Sequence, residues 1–560
     1  MKDIIQKEIE KILKELGVEN PKVVLDYPTR MEMGDLSTNV AMSYAKQLGK
    51  NPLDLAEEIK NSLKVENVKM DVAKPGFINF SFDTEYFSEN LGKSLELKTF
   101  SGKKFFIEHT QPNPFKAFHI GHLMNNTIGE SVSRIVKINN GEVKTATYHG
   151  DVGLHVAKAV WALKSGISMK EAYATGHKAY EEDEKSKEEI IEINTKIYDK
   201  SDEEINKIYE DGRKESIEYF ERLYKKLDSH FDFHFYESES GEVGKKLVSE
   251  NVGSLPRSEL GSTTGIFEKG DKGAVIFKGE NFEPKTHTRV FLNSEGLPTY
   301  EAKELGLAKI KKDLWSYDIS LTVTANEQDS FFNVVEVAIS EVFPELKGKL
   351  KHLSHGLLKL PTGKMSSREG NIISVESLID QVKEKVKEKI NNREEMSKTV
   401  FDIEGVAEEV AIGAIKYSIL RQAIGGDIIF DFDKSISFEG DSGPYLQYAT
   451  VRANSVLQKA MMSRTVLDTK LHENWQTTDL ERLLERFQSV VARAGTEYAP
   501  HHIVTYLIEL AGEFNSFYAH HKIIDEKDET SPYRLALTKA FASTMAKGLD
   551  LLGIKVPEKM

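Results

Sequence analysis

The 560-residue chain contains no cysteine and only three tryptophans. The absence of cysteine excludes disulfide bonds and thiolate zinc sites, and it suits a reducing compartment. No apolar run approaches the roughly 18 residues that a membrane-spanning helix needs. The first sixteen residues, MKDIIQKEIEKILKEL, carry charges of both signs in an amphipathic helix pattern, which is not the composition of a signal peptide. We therefore expect a cytoplasmic protein that makes no contact with membranes.

The chain also lacks an excess of basic residues. It has 75 Lys and Arg against 89 Asp and Glu, which gives a formal net charge of −14. Nucleic-acid-binding proteins usually carry a basic surface, but local patches can serve the same purpose because the steering field depends on how charge is distributed. Much of the acid lies in residues 181–221, where acidic and basic residues alternate as on solvated helical faces. The charge argues mildly against a nucleic-acid partner without excluding one.

Two histidines stand where a β-like run gives way to a helical pattern. Residues 118–123 read FHIGHL, shortly after the run Lys104–Glu108. Free backbone N–H groups and the dipole at a helix N-terminus favour anions, so His119 and His122 could donate hydrogen bonds to a triphosphate in its transition state. Gly121 would let a base or ribose approach the backbone closely. These few residues also fit a pair of surface histidines, whereas a catalytic zinc would need a third ligand that does not follow nearby.

A polar, glycine-containing segment lies about 240 residues downstream. Residues 359–371 read KLPTGKMSSREGN and follow the β-like run His352–Leu358. Lys364, Ser366 and Arg368 supply cations and a hydroxyl group suited to clamping a polyphosphate, although a segment of this kind also fits a solvated basic turn. In this order and at this separation, the two fragments resemble the signature pair of class I aminoacyl-tRNA synthetases.

Longer stretches resemble one family of that class, the arginyl-tRNA synthetases. They are EHTQPNPFKAFHIGHLMNNTIGES (108–131), LPTYEAKELGLA (297–308), GKMSSREGN (363–371), YLQYATVRA (445–453), GDLSTNVA (34–41) and KPGFINF (74–80). The resemblance runs from about residue 20 to the C-terminus. It implies ATP-dependent attachment of L-arginine to tRNA(Arg) through an arginyl-adenylate, with AMP and pyrophosphate as products. It also implies that Mg²⁺ accompanies the ATP and that the protein is a monomer.

The element pattern predicts an α/β fold. Short β-like runs at Lys104–Glu108, Val143–Tyr148, Ile319–Thr324 and Leu350–Leu358 alternate with helical patterns, as in a doubly wound, Rossmann-like parallel sheet. Ligands of such sheets bind beyond the carboxyl ends of the strands. We expect this catalytic domain to be joined to a small α+β N-terminal domain and an all-α C-terminal bundle.

Domain boundaries follow from the same pattern and from the resemblance. The expected segments are a tRNA-binding domain at 1–98, a catalytic domain at 99–375 with a charged helical insertion at about 166–260, a helical connector at 376–435 and an α-helical anticodon-binding domain at 436–560. In the first segment the pattern predicts a helix at Leu36–Leu48, a helix start at Asn51-Pro52 and a strand at Phe77–Phe82. Further helices are predicted at Gly405–Gln422, Tyr445–Met461, Leu480–Ala492 and His502–His520.

The resemblance assigns ATP binding and catalysis to particular residues. The implied ATP-binding residues are His119, Gly121, His122, His355, Gly356, Lys364 and Met365, and the implied catalytic residues are Lys116, His119, His122, Lys364, Ser366 and Arg368. The motif of the class usually ends in KMSKS, with a second lysine on the pyrophosphate, but here Ser367 takes that place. Many arginyl enzymes carry instead a lysine just before the first histidine. Lys116 stands there, and we assign it the missing charge.

Arginine recognition requires carboxylates and polar partners that match a planar guanidinium. The residues implied for this role are Glu108, Gln111, Asn113, Tyr300, Glu304 and Gln328. Glu304 stands where the family more often has aspartate. Met124 and Val152 also depart from the family pattern, and neither removes a group that the chemistry needs.

Candidate tRNA-binding residues lie in the C-terminal bundle, because RNA loops are recognised by bases stacked on aromatic side chains. They are Tyr445, Tyr448, Arg452, Phe514, Asn515 and Tyr518. Two alternatives to a synthetase remain. Another nucleotidylyltransferase with the same histidine motif would not need the long helical C-terminus. A catalytically silent relative that binds RNA or a regulatory partner would not need the intact set of Lys116, His119, Gly121, His122 and Lys364.

Overall fold

The computed structural model describes residues 1–28, 30–253, 265–359, 374–391, 402–462, 467–472 and 475–560. In these residues the strands are β1 (Leu36–Thr38), β2 (Val68–Ala73), β3 (Phe77–Phe82), β4 (Lys104–Glu108), β5 (Glu142–His149), β6 (Phe233–Tyr236), β7 (Glu268–Lys269), β8 (Val275–Phe277), β9 (Arg289–Leu292), β10 (Ile319–Ala325), β11 (Leu350–His355), β12 (Leu358–Lys359) and β13 (Ile428–Ile429). The α-helices are α1 (Lys2–Glu15), α2 (Val40–Leu48), α3 (Pro52–Ser62), α4 (Thr84–Asn90), α5 (Ile120–Ile138), α6 (Leu154–Lys164), α7 (Met169–Glu182), α8 (Glu184–Asp199), α9 (Glu203–Lys226), α10 (Glu237–Glu250), α11 (Tyr300–Leu314), α12 (Asp329–Val342), α13 (Val375–Asn391), α14 (Ile403–Leu420), α15 (Phe432–Ser435), α16 (Gly443–Met462), α17 (Asp479–Glu497), α18 (His501–His520) and α19 (Ser531–Leu551). None of these helices is long and apolar enough to cross a membrane.

A five-stranded parallel sheet with the order β11-β10-β4-β5-β6 forms the centre of the larger part of the molecule. Phe105, Phe106 and Ile107 of β4 are fully buried, as expected for a central strand covered on both faces. The chain leaves β4 towards β5 on one side and reaches β10 on the other, so β4 lies where the strand order reverses. Such a switch point places a crevice beyond the strand carboxyl ends. The predicted doubly wound parallel sheet is confirmed.

Most of the predicted strands agree closely with the observed ones. The runs Lys104–Glu108, Val143–Tyr148 and Ile319–Thr324 correspond to β4, β5 and β10, with ends that differ by at most one residue. The run Leu350–Leu358 is instead divided between β11 and β12, and β12 pairs with β13 in a separate two-stranded sheet. The chain therefore leaves the main sheet after His355, which brings that residue to its carboxyl edge.

The charged region at 166–260 is not wholly helical, so this part of the prediction is wrong. Strand β6 lies within it and pairs in parallel with β5, from Ala146 opposite Phe233 to His149 opposite Tyr236. The helices α7 to α9 therefore make up the insertion, and the chain then returns to the sheet. Sequence pattern missed β6 because four residues are too few to show an alternation next to long amphipathic helices. The small antiparallel sheet β7-β8-β9 was missed for the same reason.

Contacts divide the chain into two compact units. One comprises residues 1–95, 452–489 and 509–546, and the other comprises residues 96–451, 490–508 and 547–560. The predicted domain boundaries follow the chain in order, whereas each compact unit combines segments that are distant in sequence. The boundaries themselves stay a prediction.

The N-terminal residues form an α+β arrangement with the antiparallel sheet order β1-β3-β2. The predicted strand Phe77–Phe82 is confirmed, and so is the helix start: the Leu53 N–H donates to Asn51 Oδ1 at 2.9 Å. The predicted helix Leu36–Leu48 is wrong over its first three residues, which form β1 and pair with β3. Pairing with a neighbouring strand overrides local helix preference there.

The C-terminal part is helical, as predicted. Helices α14, α16, α17 and α18 correspond to the four predicted helices, and α19 was not predicted. With α13 and α15, these helices make up most of the chain after residue 374 in the parts that the structure describes.

Candidate active site

The carboxyl edge of the main sheet borders a cavity of about 790 Å³. It lies beyond the ends of β4, β5, β10 and β11, where a switch point places a ligand. The predicted site residues that line it are Gln111, Asn113, His119, Gly121, His122, Tyr300, Glu304, Gln328, His355 and Gly356. The fold thus brings together residues that are up to about 245 positions apart in the chain. Lys364, Met365, Ser366, Ser367 and Arg368 lie outside the described residues.

The two motif histidines cap the N-terminus of α5. The Gly121 N–H donates to His119 Nδ1 at 3.1 Å, and the His119 N–H donates to His122 Nδ1 at 3.2 Å. The two rings stack with their centroids 3.7 Å apart. A Cβ at position 121 would lie 2.9 Å from His119 Cε1, so a glycine there leaves room for the ring that folds over the helix end. The motif is therefore a folded capping arrangement, and not a pair of surface histidines.

These hydrogen bonds also decide which ring nitrogens carry protons. Burial and the charge of Lys116 lower the pKa of His119 to about 4. Burial and the charge of His119 lower the pKa of His122 well below its usual value. Both imidazoles are therefore neutral near pH 7, and because each Nδ1 accepts a backbone N–H, the proton lies on Nε2. The cavity wall thus carries two Nε2–H donors beside a helix N-terminus, which is an arrangement suited to phosphate.

The opposite wall is formed by the end of β11. The side chain of buried His355 hydrogen-bonds Asn125 of α5, and its Nδ1 lies 2.6 Å from the Gly356 carbonyl oxygen. A Cβ on Gly356 would lie 2.3 Å from the backbone of Gly426, so only glycine allows this close approach of two chain segments. His355 and Gly356 therefore form a narrow part of the cavity wall, lined by backbone, next to His119 and His122. A wall of this shape suits a flat base or a ribose.

Lys116 lies beside this site rather than in its wall. Its Nζ is 4.4 Å from the centroid of the Tyr173 ring in α7, and Lys116 is not among the described residues that line the cavity. Burial and the like charge of Lys158 lower the pKa of Lys116 to about 8. Its ammonium group forms no hydrogen bond or ion pair with any residue in the described ranges. Among the described residues, three N–H donors of Lys116 are thus unused close to the N-terminus of α5.

Below the cavity, the end of β4 is fixed by a buried ion pair. Glu108 is 1% exposed; it accepts hydrogen bonds from Gln111 Nε2 at 2.7 Å and from Lys311 Nζ at 3.1 Å. Its carboxylate is satisfied within the chain and does not line the cavity. Glu108 is therefore placed to orient Gln111, which does line the cavity. Asn113 Oδ1 accepts the Gly150 N–H at 3.2 Å, which links the loop after β4 to the end of β5.

Carboxylates dominate the side of the cavity next to α11. Glu237 accepts a hydrogen bond from Lys303 Nζ at 2.6 Å, and Glu301 accepts one from Arg289 Nη1 at 2.9 Å. Glu304 also lines the cavity, but it forms no hydrogen bond or ion pair with any residue that the structure describes. The other carboxylates of this group are each paired with a cation of the chain. Among the described residues on this side, Glu304 is therefore the half-buried carboxyl group that a cationic ligand could approach, while the exposed Glu327 of the 3₁₀ turn after β10 also lines the cavity without an ion pair.

The surroundings of Glu304 disfavour its charged form as long as no ligand is present. Burial, together with the charges of Glu108, Glu237 and Glu301, raises the pKa of Glu304 well above its usual value, although Lys311 acts in the opposite direction. A cationic ligand would reverse this effect by stabilising the carboxylate. A positive ligand group would therefore balance the electrostatic surroundings of Glu304.

Tyr300 and Gln328 complete this end of the cavity. Tyr300 is the first residue of α11 and is 60% exposed, so it is not a core residue. Gln328 ends a short 3₁₀ turn after β10, and its exposed amide faces no described hydrogen-bond partner. Tyr300 and Glu304 lie one helical turn apart on α11. The Tyr300 hydroxyl, the Gln328 amide and the Glu304 carboxyl group thus line the same end of the cavity. Such groups can accept the hydrogen bonds that a guanidinium donates.

Sequence reasoning missed several residues that line this cavity. Tyr148 at the end of β5 donates to or accepts from Ser240 Oγ at 2.7 Å, and Glu237 follows β6 directly. Their position at the ends of parallel strands was a usable signal, but β6 had not been recognised. Arg289 and Glu301 gave no such signal, since β9 belongs to a small antiparallel sheet that no pattern indicated.

The predicted tRNA-binding residues differ in their exposure. Tyr445 and Tyr448 are half-buried on α16. Arg452 Nη1 donates to Asn515 Oδ1 at 2.8 Å, and the Arg452 guanidinium lies 5.6 Å from the ring centroid of Tyr518, which is 39% exposed. Arg452, Asn515 and Tyr518 therefore form one cluster with an accessible aromatic ring.

Phe514 does not belong to this surface. It is 0% exposed, and its ring stacks on Phe541 with a centroid distance of 3.8 Å and an interplanar angle of 7°. A base cannot stack on a ring whose faces are covered by the core. The prediction for Phe514 as a base-stacking residue is corrected accordingly: it supports the helix that carries Asn515 and Tyr518.

The comparisons with known proteins agree with this geometry. The family model described as the catalytic domain of class I (R) tRNA synthetases matches residues 88–432. The model of the arginyl tRNA synthetase N-terminal domain matches residues 1–82, and the DALR anticodon-binding domain matches residues 446–560. The parallel sheet with its capping histidines is therefore the catalytic domain of a class I aminoacyl-tRNA synthetase.

Relatives cover the whole chain. An arginine–tRNA ligase of Fusobacterium nucleatum is 30% identical over 586 residues, covering 100% of this chain and 98% of the relative. The solved arginyl-tRNA synthetases of Thermus thermophilus and Plasmodium falciparum share the fold, with TM-scores of 0.78 and 0.80 at 24% and 19% identity; they cover 100% of this chain and 100% and 98% of their own chains. The chain belongs to the arginyl-tRNA synthetase family, whose members attach arginine to tRNA for translation.

Proposed function

We propose that Glu304, Tyr300 and Gln328 bind the guanidinium group of L-arginine in this family's reaction. The observation that carries the proposal is that the carboxyl group of Glu304 has no ion pair or hydrogen bond within the described part of the chain, in a wall where Glu237 and Glu301 are already neutralised by Lys303 and Arg289. A guanidinium would supply the missing cation and could donate two parallel hydrogen bonds to this carboxylate. The α-amino and carboxylate groups of arginine would then face Gln111 and Asn113 at the end of β4.

We further propose that ATP lies along the N-terminus of α5. The Nε2–H groups of His119 and His122 would donate to the phosphates as the α-phosphate changes geometry, while His355 and Gly356 flank the nucleoside. Both reactants are anionic where they meet, so alignment and charge neutralisation are the main tasks of the protein. Lys116 is proposed to neutralise the pyrophosphate that leaves. Lys364, Met365, Ser366 and Arg368, outside the described residues, keep their predicted roles.

Mg²⁺ is proposed to arrive as part of the ATP substrate, with phosphate oxygens as ligands. In the described residues no group of three or more His, Asp or Glu side chains is arranged to hold a metal. The protein would therefore contribute hydrogen-bond donors and cations, while the ion screens the phosphate charges.

The remaining proposals concern the tRNA and the state of the protein. We propose that tRNA(Arg) contacts the C-terminal helices through Arg452, Asn515 and Tyr518, with Tyr445 and Tyr448 nearby in the chain. The expected domains at 1–98, 99–375, 376–435 and 436–560 are proposed as the functional divisions. The protein is proposed to be a cytoplasmic monomer, in keeping with the resemblance to its family.

A charging assay tests the proposed function. The purified protein is incubated with ATP, Mg²⁺, total tRNA and each amino acid in turn, and the aminoacylated tRNA is measured. Arginine alone should be attached, and omission of ATP should abolish the product. Attachment of lysine at a comparable rate would contradict the guanidinium pocket, and no product with any amino acid would indicate a catalytically silent relative.

Arginine binding should release a proton. The pKa of Glu304 is raised in the free protein, and a bound guanidinium favours the carboxylate, so binding lowers that pKa. Affinity for arginine should therefore rise as the pH increases through the raised pKa, and it should level off above it. Titration calorimetry in buffers of different ionisation enthalpy measures up to one proton released per arginine. The same heat in every buffer would show that Glu304 does not meet the guanidinium.

A further inference from the structure

The ammonium group of Lys116 has an unusual environment. It is half-buried, it has no hydrogen-bond acceptor among the described residues, and its nearest aromatic contact is the face of Tyr173 at 4.4 Å. A cation over a tyrosine ring is attracted by the ring quadrupole, but it keeps its N–H donors unused. The titratable groups that face it are Lys158 and His155 of α6, Glu237 of α10, and His119 and His122 at the start of α5.

The segment that carries Lys116 is held by the helical insertion. Phe115 adopts a positive φ of 65°, and its N–H donates to Ser216 Oγ of α9 at 2.9 Å. The Phe115 ring is buried among α6 and the insertion helices, where it stacks on Tyr209 at 6.3 Å. A Cβ on Gly212 would lie 2.4 Å from Phe115 Cε1, so the fit is close. The backbone next to Lys116 is therefore fixed, and its side chain is the part that is free to move.

From this geometry we propose that Tyr173 is a positioning residue. In the absence of ATP its ring holds the ammonium group of Lys116 beside the cavity, which we call the resting place of Lys116. When ATP binds, its phosphates attract this ammonium group away from the ring and into the cavity. The inference rests on the proposed function of Lys116 in pyrophosphate binding. Phosphate oxygens would accept the hydrogen bonds that the ring cannot accept, and they would attract the ammonium away from the like charge of Lys158. Breaking the contact between Lys116 and the Tyr173 ring thus costs free energy, which lowers the affinity for ATP. Because Tyr173 belongs to the helical insertion, the insertion in this way affects ATP binding in the active site.

Replacing the ring tests this idea through ATP dependence. In Tyr173→Leu the resting contact is lost, so the KM for ATP in arginine-dependent pyrophosphate exchange, measured with tRNA present, should fall by roughly 2- to 30-fold. The kcat should stay the same, because at saturating ATP the lysine is already engaged. Tyr173→Phe keeps an aromatic face and should restore the original KM. Tyr180→Leu is the matched control, since Tyr180 is on the same helix under another lysine, Lys158, at 3.9 Å.

A double substitution separates this inference from the proposed function itself. With Lys116→Ala in place, Tyr173→Leu should change nothing further, whereas an equal change in both backgrounds would show that Tyr173 acts only through the packing of the insertion. A raised KM, a lowered kcat in Tyr173→Leu, or a phenylalanine variant that behaves like the leucine variant would also overturn the resting-place proposal. Near-normal turnover in Lys116→Ala alone would instead overturn the role of Lys116.

Discussion

Lys116→Ala is expected to lower the turnover number, by an amount that corresponds to a loss of ~2–4 kcal/mol of transition-state stabilisation. The proposed reason is that a positive charge on the departing pyrophosphate is needed most as the bond to the α-phosphate breaks. The chain has Ser367 where the class usually has the second motif lysine, so Lys116 would be the replacement. The KM for arginine should change little, because Lys116 is not part of the guanidinium pocket. Steady-state kinetics of tRNA charging measure both parameters.

A rescue variant and a matched control test whether the loss of turnover is due to the charge of Lys116. Ser367→Lys, combined with Lys116→Ala, should recover part of the lost turnover by returning a lysine to the usual position. Lys164→Ala is the matched control: it removes the same charge from α6, where Lys164 pairs with Glu204 at 3.3 Å on the surface. If Lys116→Ala keeps near-normal turnover, the lysine is an ordinary half-buried residue and the charge must come from elsewhere.

Glu304→Gln is expected to lower kcat/KM for arginine. The loss should correspond to ~1.5–3 kcal/mol, the contribution of a hydrogen bond to a charged group. The amide keeps the size of the side chain but removes the unpaired charge, so the guanidinium loses its counter-ion. The KM for ATP should hardly change, since Glu304 lies on α11 and not at the end of α5. Discrimination against lysine should fall as well, because rejection depends on pocket acceptors that a point-charge ammonium leaves unpaired.

Two control variants accompany Glu304→Gln: one keeps a carboxylate at position 304, and the other makes the same change from glutamate to glutamine at another position. Glu304→Asp should be tolerated, because it restores the residue that is more common in the family. Glu336→Gln makes the same carboxylate-to-amide change at a half-buried position of α12, where burial alone raises the pKa, and arginine use should be unaffected. Normal charging of arginine by Glu304→Gln would place the guanidinium partner elsewhere in the cavity.

The sequence by itself determined the class of fold and the chemistry at the end of the first strand. Apolar runs such as Lys104–Glu108, followed by a helical pattern, predict a parallel sheet because burial on both faces and the need for crossover helices are local properties of the chain. The position of His119 and His122 at a helix start could be predicted for the same reason, since a helix start depends on a few neighbouring residues. Patterns of this length also located four of the C-terminal helices, α14 and α16 to α18, with ends that differ by at most five residues.

Only the tertiary structure decided which charges are paired. The pairing of Glu301 with Arg289 and of Glu237 with Lys303 depends on α10, α11 and β9 coming together. The same packing leaves Glu304 with no ion pair among the residues that the structure describes. No local pattern contains these distances. The same holds for Phe514, which is aromatic like Tyr518 in sequence but is covered by Phe541 in the core. Burial and ion pairing arise from contacts between distant segments, so many of the residues that line the cavity could be predicted from the sequence, whereas their ion pairs and burial could not.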